Sequence, residues 1–528
     1  FDTWEPKWYG GFSVITYPPL LHQLLAILAF IIEMELAYRI LTFLTMFLLP
    51  ISIYYFSKIF VSDRAAGYAS IISVFTPSAF IATYIFGQLP TLLSFITTLF
   101  TALCLDSFLK KGRKYDLAKT LCLLGSSISI HHFTAIFFLP FLIFAIMVTA
   151  AIKGRSLFGN VMKGSLLFII SAIGVSAIVI FPFWSFLVGA SMQTPIPHFT
   201  RTSVLENGKL GVSILTMYGG TVVLFPLVIL AFHRHRSIIP LFSLVILMFV
   251  LGLGGTTVLP YIMFGEVWKW LTYDRFTLWA SLTFLPLLGL SLSTLVDTLK
   301  GRLRDGIVLY LFWALLIYSF LIAPIWWASS EGFYGFYIRA GMEVDLEEIV
   351  NFLGTYDSWN WRYLTLGFGE AAMVKLSILT RAMTIDGFYS TGRTLSILMN
   401  SGISTLDSAK FYENGFYVLE QVLKNASKYS LKWVFCNDQA YESILKKTGF
   451  LVAETFTNGV TLWEKSDIPR VEYQDSGLTL LDYYWGIMPL LFFIMSVSQN
   501  LLVIIRQRII HPKALIKRLF STARVYMR

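Results

Sequence analysis

The 528-residue chain is poor in charge and nearly without cysteine. Charged residues make up 14% of it, where soluble globular chains carry roughly 25%. That deficit excludes an ordinary soluble domain, a disordered chain and a charge-rich coiled coil. The three cysteines, Cys104, Cys122 and Cys436, are too few for a disulfide framework, and no two stand at metal-ligand spacing. No glycine-rich GxGxxG motif follows a strand, and there is no phosphate-binding GxxxxGK motif, no HExxH and no CxxC, so nucleotide-driven chemistry has no support. The chain opens at Phe1 rather than Met, in the loop-like stretch FDTWEPKWYGGFSVITYPP, without a signal-peptide pattern. Further sequence, including one more span, is expected upstream.

Apolar residues are abundant. They make up 56% of the chain, with a mean hydropathy of +0.68, which identifies a polytopic α-helical membrane protein. A span takes about 20 apolar residues. Eleven are read, at 40–60, 65–83, 89–109, 117–131, 133–152, 164–188, 211–232, 238–258, 276–296, 306–325 and 484–505. The apolar segment 18–33 is too short to span and reads as an interfacial helix.

Lys and Arg set the orientation. With the N-terminus outside, the inner loops gather Lys58, Arg64, Lys110, Lys111, Arg113, Lys114, Lys119, Lys153 and Arg155, and the tail adds a further basic run. The outer loops hold only Lys7, Arg39, Arg201, Lys209, Lys269 and Arg275. The net charge of +10 is therefore expected to face membrane lipid, not nucleic acid. Residues 327–483 are acidic on balance and have no spanning run. They read as an extracytoplasmic α/β domain, with a strand at 432–436, a helix at 440–449 stopped by Gly449, and a hairpin across Asn458-Gly459 on a type I′ turn. The expected organisation is a first outer loop with interfacial helix (1–39), a multi-span membrane domain (40–326), the outer domain (327–483), a last span (484–505) and a basic cytoplasmic tail (506–528), in the plasma membrane.

The candidate functional residues are polar groups at the outer ends of spans. Trp4, Trp8 and Tyr17 offer rings that stack on sugars, and Asp2 and Glu5 offer a general base; an interfacial aromatic belt is the plainer reading of that stretch. His131 and His132 close a span, where an imidazole could hold a phosphate or merely cap the helix end. Arg275 brings a planar donor fork suited to a lipid phosphate, beside Asp274, Glu266 and Lys269; an Asp274/Arg275 interfacial anchor is the plainer reading. His198 and Arg201 lie in the long polar loop 191–209, read as a candidate substrate loop or an ordinary connector.

The order of these residues resembles the GT-C superfamily of membrane glycosyltransferases. The resemblance rests on W-x-P-x-W-Y-G-G (4–11), Y-P-P-L (17–20), G-x-L-P (87–90), His131-His132 and Asp274-Arg275-Phe276. Within it the chain looks nearest to the prokaryotic, often archaeal membrane proteins labelled "6-pyruvoyl-tetrahydropterin synthase-related", a label that implies no pterin chemistry, and to YfhO-like proteins. The resemblance covers 1–325, and 327–505 by architecture. It implies transfer of a sugar from a polyprenyl-phosphate donor, such as a dolichol-phosphate sugar, to a glycan, lipid or protein acceptor. It implies donor-phosphate contacts at Arg275, His131 and His132, with Trp4, Trp8, Tyr17, His198, Arg201, Glu266 and Asp274 around the substrate. The family's catalytic acid usually precedes W-x-P-x-W by a couple of dozen residues; Asp2 and Glu5 are the first-loop acids in this chain. The loop 84–90 lacks the acidic pair of metal-dependent relatives, which leaves a divalent metal without sequence support. A lipid or glycan transporter and a non-catalytic assembly protein are the alternatives.

Overall fold

The computed structural model describes residues 3–154, 158–189, 193–221, 224–226, 228, 236–299, 310, 344–355, 358–472 and 479–510. The chain is a polytopic α-helical membrane protein with a small sheet domain. Among the described residues five helices are long and apolar enough to cross a membrane, or six if one bent pair counts as a span. Most of the span expected at 306–325, part of that at 211–232, residues 327–343 and the tail from 511 lie outside the described residues.

The chain begins with two short antiparallel strands, β1 (Trp4–Glu5) and β2 (Phe12–Ser13). Helix α1 (Leu20–Ala29) follows; at ten residues it is about 15 Å long, half the roughly 30 Å hydrocarbon layer. Next come α2 (Met34–Ser57) and the bent pair of α3 (Asp63–Ser73) and Pro77–Ile85, which turns by 46°. Helix α4 (Leu89–Lys111) carries Pro90 in its first turn and stops at left-handed Gly112. Helix α5 (Lys114–Ile130) ends at His131. The single span read at 133–152 is two helices, α6 (His132–Phe137) and α7 (Leu139–Lys153), broken before Pro140. Helix α8 (Phe158–Gly189), α9 (Gly208–Tyr218), α10 (Ile239–Gly252) and α11 (Asp274–Leu299) complete the bundle with the last helix, α12 (Leu480–Ile510).

Helices α4 and α11 are the central ones. Their apolar windows are 72% and 83% buried, against 17% for α8. Phe95, Phe138, Phe276 and Trp279 join in one core around them. Small residues allow close approach: a Cβ on Gly289 of α11 would stand 2.2 Å from Ala65 O of α3. Ser94 and Thr98 of α4 bond Ser127 of α5, satisfying buried hydroxyls across the pair.

The sheet domain has five strands in the order β4-β3-β5-β7-β6: β3 (Arg362–Leu366), β4 (Met383–Thr384), β5 (Leu431–Cys436), β6 (Leu451–Thr455) and β7 (Thr461–Glu464). The first three are parallel and the last two antiparallel. The strand and hairpin read near the end of the domain are present. The turn differs from the type I′ expectation. Gly459 has φ +84° while Asn458 stays at negative φ, Gly459 N donates to Phe456 O, and the register shifts between Val452 and Glu454. Only one residue needs the left-handed region, so the hairpin takes a longer loop with a bulge.

The first loop is woven into this domain. Thr384 N donates to Lys7 O at 2.7 Å, Tyr9 N to Asp386 O and Gly10 N to Thr384 O, both at 3.3 Å, so Lys7–Gly10 pairs beyond β4. Tyr9 and Phe12 are buried in the domain's core. Tyr9, Gly10 and Gly11 all have positive φ, and a Cβ on Gly11 would sit 2.3 Å from the Trp4 ring. The two glycines are therefore required by the turn.

Candidate functional site

Two long helices start at one point. Gln88 precedes α4, and Asp274 opens α11. Gln88 Nε2 donates to Asp274 Oδ2 at 2.6 Å across 186 residues of sequence. Each helix start carries unpaired N–H groups and about half a positive charge, so their convergence favours a negative group.

Arg275 follows Asp274 and lies over the Phe133 ring, 4.7 Å from its centre. Its Nε is buried with no hydrogen-bond partner among the described residues, as are Asp274 Oδ1 and Gln88 Oε1. An unmet buried polar atom costs roughly 1–3 kcal/mol; three adjacent ones mark a place for a polar ligand.

His131 joins the same group. Its Nδ1 accepts from Thr134 N at 3.2 Å and contacts Thr134 Oγ1 at 2.8 Å, capping α6. That assigns the proton to Nε2, which lies 3.4 Å from Thr91 Oγ1 on the first turn of α4. His132 turns away, edge-on to Phe183 of α8 at 5.3 Å, in a small cavity with Tyr484, Trp485 and Pro19.

Tyr17 and His198 complete the rim. Burial pushes the Tyr17 phenol up and the Arg275 guanidinium pulls it down. Burial above all lowers the His198 imidazole to about 4, with Asp274 opposing the shift and Arg201 and Arg275 adding to it. His198 is thus neutral at pH 7, and its Nδ1 accepts from Thr200 N at 3.3 Å. Arg201 is committed to backbone, donating to Leu271 O at 2.9 Å and Ile196 O at 2.5 Å. It staples the 193–207 loop to the segment leading into α11.

The remaining described candidates make other contacts. Asp2 lies outside the described residues. Glu5 accepts from Lys7 N at 2.9 Å. Trp4 packs over Gly11, and Trp8 Nε1 donates to Ser377 Oγ at 2.5 Å in the sheet domain. Glu266 pairs with Lys269 on an exposed turn. Among the described residues no three His, Cys, Asp or Glu side chains are grouped to hold a metal ion.

Two residues escaped the sequence reading as site candidates: Gln88 and Thr91. Both are neutral, so no charge pattern marks them. Pro90 in a first helical turn was the available signal, since it places Gln88 at a helix start.

No family model matches the chain, and no curated protein matches it. Among solved structures it is similar to ArnT from Cupriavidus metallidurans in the apo state, at 12% identity over 86% of this chain and 88% of that one, with a TM-score of 0.48. ArnT from the same organism bound to undecaprenyl phosphate matches at 10% identity over 87% and 90%, with a TM-score of 0.46. An Archaeoglobus fulgidus oligosaccharyltransferase tethered with an acceptor peptide matches at 14% identity over 91% and 70%, with a TM-score of 0.48. Likeness at this level assigns no residue and no activity.

Proposed function

We propose that the chain is a membrane glycosyltransferase that takes a sugar from a polyprenyl-phosphate donor. The observation that carries this is Arg275: a partly buried guanidinium whose buried Nε has no partner among the described residues, held over Phe133 where two long helices begin. That environment suits a phosphate at membrane depth. His131, whose Nε2 proton lies 3.4 Å from Thr91 Oγ1, is the second donor in this reading. The motif order that resembles the GT-C superfamily supports the same reading, as does the nearer likeness to the pyruvoyl-tetrahydropterin-synthase-related and YfhO-like proteins.

In the transfer, an acceptor hydroxyl oxygen bonds to the sugar's anomeric carbon. The bond from that carbon to the phosphate oxygen breaks, and the lipid phosphate leaves with the electron pair. Arg275 stabilises that charge as it develops. The hydroxyl proton passes to a carboxylate, for which Asp2 is the first-loop candidate, the Glu5 carboxylate being engaged by Lys7 N. The acceptor approaches from the outer face, beneath the sheet domain.

The test is binding and turnover in nanodiscs. Arg275→Ala is expected to weaken dolichyl phosphate binding at least tenfold, with Arg275→Lys intermediate because a point charge replaces the fork. Release of dolichyl phosphate from a dolichyl-phosphate sugar should fall in parallel. Unchanged binding in a folded Arg275→Ala protein would sink the assignment.

A further inference from the structure

Gln88 and Asp274 are equipped for a different part of the ligand than Arg275. Their mutual hydrogen bond at 2.6 Å uses the amide donor and one carboxylate oxygen. It leaves Gln88 Oε1 and Asp274 Oδ1, both buried and both without a partner among the described residues. Each of these oxygens can only accept a hydrogen bond when the carboxylate is ionised. They would repel a phosphate. Arg275, next in the chain, presents the opposite face, a donor.

One site therefore offers a donor for an anion and, one residue away, two acceptors for hydroxyl groups. A bare lipid phosphate satisfies only the first. We infer that the Gln88–Asp274 pair reads the hydroxyls of the sugar carried on the phosphate, and that these two residues set donor specificity. This rests on the donor reading above. A cation is the other guest for two oxygens. The adjacent Arg275 charge opposes it, and no group of three ligating side chains stands among the described residues.

The experiment uses the full chain in nanodiscs, in EDTA. Its probes are dolichyl phosphate, dolichyl-phosphate mannose and dolichyl-phosphate glucose. The native chain is expected to hold at least one glycosylated lipid about tenfold or more tighter than the bare one, the discrimination a hydrogen-bonding site achieves. Asp274→Asn and Gln88→Leu, both checked for folding by thermal melting, are expected to erase that preference. Equal weakening toward all three lipids, or a preference that persists in both variants, would overturn the sugar-reading role and leave the Arg275 reading standing. A preference that appears only when Mg2+ or Mn2+ is added would overturn it in favour of a cation. Failure of the native chain to bind any of the lipids would overturn both readings together.

Discussion

The Tyr9 hydroxyl is a rivet between the first loop and the sheet domain: it donates to Gly387 O at 2.7 Å and accepts from Tyr389 N at 3.0 Å. Tyr389 in turn reaches Thr16 through its own hydroxyl at 2.8 Å and lies 6.0 Å edge-on from Tyr17. The sheet domain thereby holds Tyr17, the ring whose phenol feels Arg275.

Removing that hydroxyl strands two backbone groups, one buried and one part-buried. Tyr9→Phe is expected to destabilise the sheet domain by about 1–3 kcal/mol, read as a lower melting temperature and faster proteolysis of the first loop. A melting temperature matching the unaltered chain would show that the rivet carries no net stability.

Arg393 does the same for the loop that bears His198. It is 2% exposed and donates to Ser390 O, Leu398 O and Ile403 O within its domain, and to Gln193 Oε1 and Thr194 O across the seam. A lysine cannot reproduce that fork. Arg393→Lys is expected to speed hydrogen exchange across 193–201 at least tenfold, with little change in α4. Equal protection in both proteins would remove Arg393 from this role.

Asp386 gives the domain a pH dependence. It is wholly buried, and its oxygens accept from Asp407 N at 2.9 Å and Gly387 N at 3.0 Å. Burial raises its pKa from 3.8 to about 7, helped by the Asp407 carboxylate and opposed by the backbone bonds. Between those values the folded chain holds a proton that the unfolded chain has released. Its stabilising contribution is complete below about 3.8 and fades as pH rises through about 7. The melting temperature of the sheet domain is expected to fall from pH 5 to pH 8, and Asp386→Asn should flatten that slope. An equally steep slope in the variant would assign the effect to another group.

Much of the architecture was legible in sequence. The apolar spans appear as helices where they are described, two of them broken, at 74–76 and before Pro140, and the strands of the 431–464 end follow their local pattern although the hairpin turn does not. The site was legible in part. Arg275, Asp274, His131 and His198 stood out because charged or imidazole groups at helix ends are conspicuous. Gln88 did not, because an amide beside a proline carries no such mark. Trp8, whose ring was a candidate sugar platform, donates through Nε1 to Ser377 of the sheet domain, a contact no local pattern marks.

Composition and hydropathy by themselves determined that this chain crosses a membrane, since about 20 consecutive apolar residues have few other stable places. Local signals determined the β5-to-β7 order, since strand period and turn glycines act within a few residues. Only the tertiary structure decided that Gln88 meets Asp274 and that Tyr9 meets Asp386. Those pairs lie hundreds of residues apart, or nearly so, and are set by how α4 and α11 pack at the centre and how the first loop seats against β4. Such contacts follow from the summed packing of whole helices and sheets, which no local window contains.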